Sequence, residues 1–285
     1  MATSSTDLAD RIRLGMHHLC VNFDEQQGQL PWFDVRLREG RPGYLEHYEC
    51  FDTAHVPGRC LDALLLGEHV TGRPAPASAI DIFRGFHLQS FKGSDGLNGY
   101  TDHETGRRTI LFHNLREGLL GLNALIEFRN DGEAADAAKR MVETIESLVD
   151  STGAWREEAL RALAVNAAFP WSERGPDIGT APQVIGRLVG PLVDYSRIVD
   201  DAAAFELAVR LARRTVDVAF APDGSLTEAA GSHLHSITST ISGLCQLSRL
   251  LDDPDFKARV ESIFSTAVAP WASGSGWIKE LVACN

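Results

Sequence analysis

Apolar side chains recur along this chain at intervals of three and four residues. From Leu111 to Ile126 the leucine and isoleucine positions follow steps of four, four, three and four, and similar spacing runs from Ile237 to Leu251. This period places the apolar residues on one stripe of a helix, which is typical of helices packed against other helices. Strand-like alternation is scarce. The pattern therefore predicts an all-α fold.

The predicted helices come in pairs that are joined by short polar breaks. Glycine and aspartate at these breaks end one helix and cap the next. A helical hairpin that repeats about every 60 residues buries its core against neighbouring copies, as solenoids and toroids do. The breaks lie at Gly72, Gly132, Asp200 and Asp253.

Longer segments rich in Gly, Pro, Asp, Trp and His separate the hairpins. In antiparallel hairpins stacked side by side, the tight turns lie at one end and the long connections at the other. Because loops carry function when a rigid scaffold gathers them, we expect the site at the end with the long connections. These segments are roughly 24–51, 92–110, 151–186, 221–236 and 271–285.

Composition excludes several classes of function. The chain has 285 residues, 39 acidic and 27 basic, with a net charge of −12, so we expect no nucleic-acid partner. No apolar run approaches the roughly eighteen residues of a membrane helix and no signal peptide is visible, so we expect no membrane partner and a cytoplasmic location. Five scattered cysteines indicate reduced thiols. No phosphate loop or nucleotide fingerprint occurs, and we expect no cofactor.

The segment that leads into the first clear hairpin holds three candidate site residues. Asp52 is followed by Pro57 and resembles a helix start, in which case its side chain is a cap. Alternatively, Asp52, His55 and Arg59 lie on adjacent turns and face a substrate cleft.

A second candidate lies just before the hairpin that begins near residue 234. His233 and His235 share one side of an extended segment and could hold a metal, a substrate hydroxyl or a structural hydrogen bond. No third ligand stands at a standard spacing, so we expect no metal site.

Carboxylates and tryptophans in the long segments point to sugar chemistry. Trp171 and Trp277 could stack on the C–H face of a sugar, although such rings also close the ends of a helical core. Glycosidic cleavage needs two carboxyl groups, an acid and a base or nucleophile. Asp52, Asp102 and Glu228 are the candidates, with Asp102 alternatively a cap in its glycine-rich loop; the sequence does not pair them.

Two stretches of sequence resemble the six-hairpin glycosidase superfamily, whose fold is an (α/α)6 toroid. They are DTAHVPGRCLDALL at Asp52–Leu65 and HLHSITSTISGL at His233–Leu244, continued by GWIKE at Gly276–Glu280. The chain looks similar to bacterial members near the β-L-arabinofuranosidase-like and unsaturated-glycuronyl-hydrolase-like groups. The resemblance implies one toroid domain over residues 1–285 and a carbohydrate ligand.

The length of the chain departs from that pattern. A period near 60 accommodates about four to five hairpins, whereas a closed ring of six needs about 360 residues. We therefore expect an incomplete toroid that lacks hairpins at its carboxyl end, in which either a homodimer covers the exposed hairpin face or function is lost.

These observations favour a glycoside-hydrolase-like protein that acts on a glycoside or oligosaccharide by carboxylate acid/base chemistry. The expected catalytic groups are Asp52 and Asp102, with Glu228 as a reserve acid. Two alternatives remain open. One is a sugar epimerase or isomerase in which His233 or His235 is the general base, and the other is a non-catalytic or degenerate sugar-binding toroid.

Overall fold

The computed structural model describes residues 7–37, 39–172, 175–176, 178–274 and 276–281. Helices dominate these residues, and the strands within them are only two or three residues long and lie in antiparallel pairs. The predicted all-α fold is therefore confirmed. None of the helices in the described part of the chain combines the length and apolar character that crossing a membrane requires.

The helices are bounded as follows: α1 (Leu8–Val21), α2 (Glu49–Asp52), α3 (Val56–Thr71), α4 (Ala77–Gln89), α5 (Leu115–Arg129), α6 (Gly132–Leu148), α7 (Glu157–Leu163), α8 (Ala181–Val184), α9 (Val189–Val199), α10 (Ala202–Ala219), α11 (Leu234–Ser248) and α12 (Pro254–Ile263). The strand pairs are β1 (Phe23–Asp24) with β2 (Leu30–Pro31), β3 (Asp34–Arg36) with β4 (Tyr44–Glu46), β5 (Tyr100–Thr101) with β6 (Arg108–Thr109), and β7 (Trp171–Ser172) with β8 (Gly175–Pro176).

The chain divides into two compact units, which are described separately. The first unit comprises Met1–Ile110, Glu117–Met141 and Asn166–Ala168, and in it α3 packs against α1 and α4. The second unit comprises Leu111–Arg116, Val142–Val165 and Phe169–Asn285, and in it α9 packs against α10 and α11. That residues 1–285 form a single domain stays a prediction.

The predicted breaks between paired helices are confirmed by the turns. Gly72 follows α3 with φ +63°, and Asp200 follows α9 with φ +57°, so both end their helices in the left-handed region. The carboxylate of Asp201 accepts a hydrogen bond from the Ala204 backbone N–H at the start of α10, and Asp253 caps α12 in the same way. Local capping chemistry therefore sets the ends of these helices.

Two glycines allow helices α3 and α5 of the first unit to approach closely. A Cβ atom on Gly58 would lie 2.0 Å from the Glu117 carbonyl oxygen, and one on Gly121 would lie 2.7 Å from the Gly58 Cα atom. The His87 ring from α4 fills the adjacent space, where its Nε2 lies 3.0 Å from the Gly118 carbonyl oxygen. Burial lowers the pKa of His87 to about 4, so this ring is neutral at pH 7. Only glycine, whose side chain is a single hydrogen atom, fits at position 58 without movement of the backbone.

Replacing Gly58 with alanine is expected to lower the free energy of unfolding by about 2 kcal/mol or more, because backbone atoms of α5 must move to admit the methyl group. Urea denaturation provides the measurement. Gly85→Ala is the matched control, since Gly85 is also helical and no atom lies within 4 Å of the added Cβ. The control is expected to be neutral or to stabilise by up to about 1 kcal/mol. Equal effects of the two substitutions would show that the close approach is not needed.

Candidate active site

Asp52 is the last residue of α2, and its carboxyl group is buried with only 3% of the residue exposed. Its Oδ1 accepts a hydrogen bond from the Tyr48 backbone N–H at 3.0 Å. Burial raises the pKa of Asp52 above its ordinary value, and the nearby charge of Glu49 adds to the rise. An aspartic acid that keeps its proton to higher pH is suited to donate it.

Asp52 and Glu49 line one pocket of about 200 Å³ in the first unit. They are three residues apart in α2, so their side chains share one face of that helix. The pocket wall also contains Tyr100, His103 and Arg108. The Glu49 carboxylate accepts a hydrogen bond from the His103 backbone N–H at 2.5 Å. The pocket therefore offers two carboxyl groups in different environments.

The loop that forms one wall of this pocket is fixed by buried polar contacts. The Arg108 guanidinium binds Asp95 through two hydrogen bonds of 2.6 and 3.0 Å and also donates to the Leu97 carbonyl oxygen. Asn98 is fully buried and donates to the Ala54 carbonyl oxygen at 2.7 Å. Such paired, buried bonds hold the wall rigid beside α2.

His55 and Arg59 meet on a glutamate that the sequence analysis missed. His55 Nδ1 lies 3.5 Å from Glu117 Oε2, and Arg59 Nε lies 3.6 Å from Glu117 Oε1. Glu117 is fully buried, whereas the Arg59 side chain is about half exposed. The predicted cluster is thus divided, since His55 and Arg59 face Glu117 while Asp52 faces the pocket. The spacing of apolar residues in α5 gives no signal for this contact.

Three aromatic and acidic residues lie behind Asp52. The Trp32 and His47 rings stack with centroids 4.1 Å apart and an angle of 18° between their planes. His47 Nε2 lies 3.1 Å from Asp24 Oδ2, and His47 Nδ1 lies 3.5 Å from Asp52 Oδ2. These residues come from strand β1, the end of β2 and the end of β4, so local sequence did not connect them.

Asp102 takes the capping role that was its alternative. Its Oδ1 accepts hydrogen bonds from the Thr105 backbone N–H at 2.7 Å and from the Thr105 hydroxyl at 2.8 Å, in the turn between β5 and β6. These bonds lower the pKa of Asp102. Asp102 is not among the described residues that line the pocket with Asp52.

In the second unit, His233 and His235 are close to each other and to His113. Their ring centroids lie 5.8 Å apart, and the His233 centroid lies 5.9 Å from that of His113. His233 Nδ1 accepts a hydrogen bond from the Ser236 backbone N–H and caps α11, while its Nε2 lies 3.8 Å from Glu280 Oε1. Buried Arg187 places Nη1 2.8 Å from His113 Nε2. Within the described residues, no cluster of three His, Cys, Asp or Glu side chains is arranged to hold a metal ion.

The remaining predicted site residues are placed as follows. Glu228 is exposed in a short 3-10 turn, Glu228–Ala230. Trp277 is 68% exposed, near the end of the described chain, and Trp171 lies in β7.

No protein-family model matches the sequence, and no curated protein matches it. Solved structures do match. One is an α-mannanase of glycoside hydrolase family 76 from Bacteroides thetaiotaomicron, with a TM-score of 0.57 and 12% sequence identity over 83% of this chain and 62% of that chain. The chain thus spans about three fifths of the length of that enzyme. The mannanase has the six-hairpin (α/α)6 toroid fold.

The likeness confirms the fold that the sequence motifs implied. The chain has the helical-hairpin fold of the six-hairpin glycosidases, and its fold is glycoside-hydrolase-like. Because one fold of this type hosts different chemistries, the activity has to be argued from the site.

Because Asp52 is buried, the difference in free energy of unfolding between the wild type and Asp52→Asn is expected to depend on pH. Between the ordinary pKa of aspartate, about 3.9, and the raised folded value, the unfolded chain loses its proton while the folded chain keeps it. The wild type therefore loses stability relative to Asp52→Asn as the pH rises through this window. Urea unfolding from about pH 4 to pH 7 measures the difference.

Asp81→Asn is the control for this measurement, because Asp81 is an exposed aspartate on α4 of the same unit. The stability difference between the wild type and Asp52→Asn is expected to change more with pH than the difference for this control. An equal or smaller change for Asp52→Asn would contradict the raised pKa of Asp52.

Proposed function

We propose that the protein is a glycoside hydrolase in which Asp52 is the proton donor and Glu49 the second carboxylate. The observation that carries this proposal is the pocket that both residues line, where Asp52 is buried and Glu49 is partly exposed. An environment that raises the pKa of one of two neighbouring carboxyl groups favours that group as the acid. The glycoside-hydrolase-like fold supports the same reaction class.

In this reaction the Asp52 proton passes to the glycosidic oxygen as the bond to the anomeric carbon breaks. The Glu49 carboxylate then either activates water or attacks the anomeric carbon as a nucleophile. Glu49 is a better partner for Asp52 than Asp102, because Glu49 lines the same pocket as Asp52 and Asp102 is not among the described residues of that lining.

The size of the pocket favours a single sugar ring. Its volume of about 200 Å³ is smaller than the roughly 300–1,000 Å³ of pockets that enclose drug-sized ligands. Side chains of Tyr100, Gln89 and Arg108 supply polar groups for sugar hydroxyls. We infer that the enzyme removes one terminal sugar residue from a glycoside or oligosaccharide.

Two other functions remain proposals. The close pair of His233 and His235 favours a sugar epimerase with a histidine base, which would exchange a sugar C–H proton with solvent and hydrolyse nothing. A non-catalytic protein would bind sugar without turnover. Exchange of a sugar C–H proton in deuterium oxide without hydrolysis identifies the epimerase, and sugar binding with neither exchange nor hydrolysis identifies the non-catalytic protein.

The hydrolase proposal predicts that Asp52→Asn and Glu49→Gln each lower kcat/KM by about 10²–10⁴-fold. Each variant removes one carboxyl group from the pocket. A panel of aryl glycosides and oligosaccharides identifies the substrate, and chromatography of the products measures release of monosaccharide.

The control for this assay is Glu104→Gln, since Glu104 is an exposed acid in the neighbouring loop and is expected to leave activity unchanged. Release of longer oligosaccharides would reject the single-ring pocket but keep the hydrolase. Full activity in folded Asp52→Asn would reject Asp52 as the acid.

A further inference from the structure

His47 is held in one orientation by two contacts that the proposed reaction does not use. One face of its ring stacks on Trp32, and its Nε2 lies 3.1 Å from Asp24 Oδ2. The side chains of His47 and Asp24 are only 17% and 10% exposed, so water screens this pair weakly. An imidazole clamped in this way presents a fixed nitrogen on its other side.

That other nitrogen, Nδ1, faces the Asp52 carboxyl group at a distance of 3.5 Å from Oδ2. Oδ1 of Asp52 already accepts a hydrogen bond from the Tyr48 backbone N–H. Both oxygens of the carboxyl group are therefore oriented by consecutive residues, His47 and Tyr48. The three side chains form a line, Asp24–His47–Asp52, which ends at the pocket.

We propose that His47, oriented by Asp24 and Trp32, is the positioning residue for the proton donor Asp52. The inference rests on the proposed function. A base or acid that is oriented by a second group, itself fixed by a third, is a recurring arrangement in enzymes that transfer protons.

The geometry places the transferable proton on one oxygen. Because Oδ1 of Asp52 accepts from Tyr48, the proton resides on Oδ2, which faces His47. A carboxylate at Asp24 accepts from Nε2–H of His47, and a protonated ring presents Nδ1–H toward Oδ2, which stabilises the ionised form of Asp52. During hydrolysis the proton leaves Oδ2 for the glycosidic oxygen. Where Glu49 is the nucleophile, Asp52 regains a proton from the attacking water; where Glu49 activates the water, Glu49 takes that proton and exchange with solvent restores both groups.

The charges around Asp52 give the sign of the effect of removing His47. Burial raises the pKa of Asp52 and Glu49 raises it further, whereas the charge of His47 lowers it. Arg108 and His103 face the same pocket. The pKa of Asp24 lies below its ordinary value. Burial acts to raise it, but hydrogen bonds from His47 and from the Gln26 backbone outweigh that effect. Loss of His47 is therefore expected to raise the pKa of Asp52 further.

The first test is the pH–rate profile of His47→Gln on the glycoside identified in the panel. We expect kcat to fall about 10–100-fold through lost orientation, KM to change less than about twofold, and the alkaline limb to move to higher pH. Asp24→Asn is expected to shift the limb in the same direction by a smaller amount. The control His18→Gln, an exposed histidine on α1, is expected to match the wild type.

The second test does not need activity. Carboxyl ¹³C NMR titration, with the Asp52 signal assigned by its loss in Asp52→Asn, reports the pKa of Asp52 directly in wild type and His47→Gln. A higher pKa in the variant supports the proposal, and an unchanged pKa in a variant whose circular dichroism shows the native fold overturns it. If no glycoside is hydrolysed, the proposed function fails while this titration still decides whether His47 acts on Asp52.

Discussion

The contact between Gly58 and Gly121 is the constraint on which the first unit depends. Because neither glycine has a side chain, the backbones of α3 and α5 lie close together. A Cβ atom on Gly58 would be only 2.0 Å from the Glu117 carbonyl oxygen. This approach places the Glu117 side chain beside His55 and Arg59. Asp52 lies just before α3 in the chain, so the same contact fixes the helix from which the pocket is built. A packing requirement and the site geometry therefore have one origin.

Two aspartates on the same imidazole show how the fold sets acidity. Asp24 and Asp52 both face His47, yet the pKa of Asp24 is lowered and that of Asp52 is raised. Desolvation acts on both groups in the same direction. At Asp24 the hydrogen bonds together outweigh desolvation and lower the pKa, whereas at Asp52 desolvation outweighs them and the pKa is raised. The aspartate that reaches the pocket is thus the one whose pKa is raised.

The helices and their breaks were predictable because they depend on local information. Periodic apolar positions define α5 and α11, and a left-handed Gly72 or a capping Asp253 acts within one turn of its own helix. The site depends instead on contacts between distant segments. Glu117 meets residues near position 55, and Asp24 meets His47 through two short strand pairs. For Asp102 the structure shows the turn role and its site role stays a prediction, since the two roles have the same sequence signal.

The fold alone does not decide what the pocket does. A likeness at 12% identity supplies the helical-hairpin scaffold, and loops on that scaffold supply the chemistry. In the first unit one of these loops is held by hydrogen bonds: Arg108 binds Asp95 across the glycine-rich loop, and Asn98 donates to the Ala54 carbonyl oxygen, two residues after Asp52. Because these bonds join the pocket wall to the segment that carries the acid, the wall and Asp52 keep a fixed relation. Under the proposed function, a rigid pocket of this kind orients a single sugar ring against Asp52 without any movement of the helices.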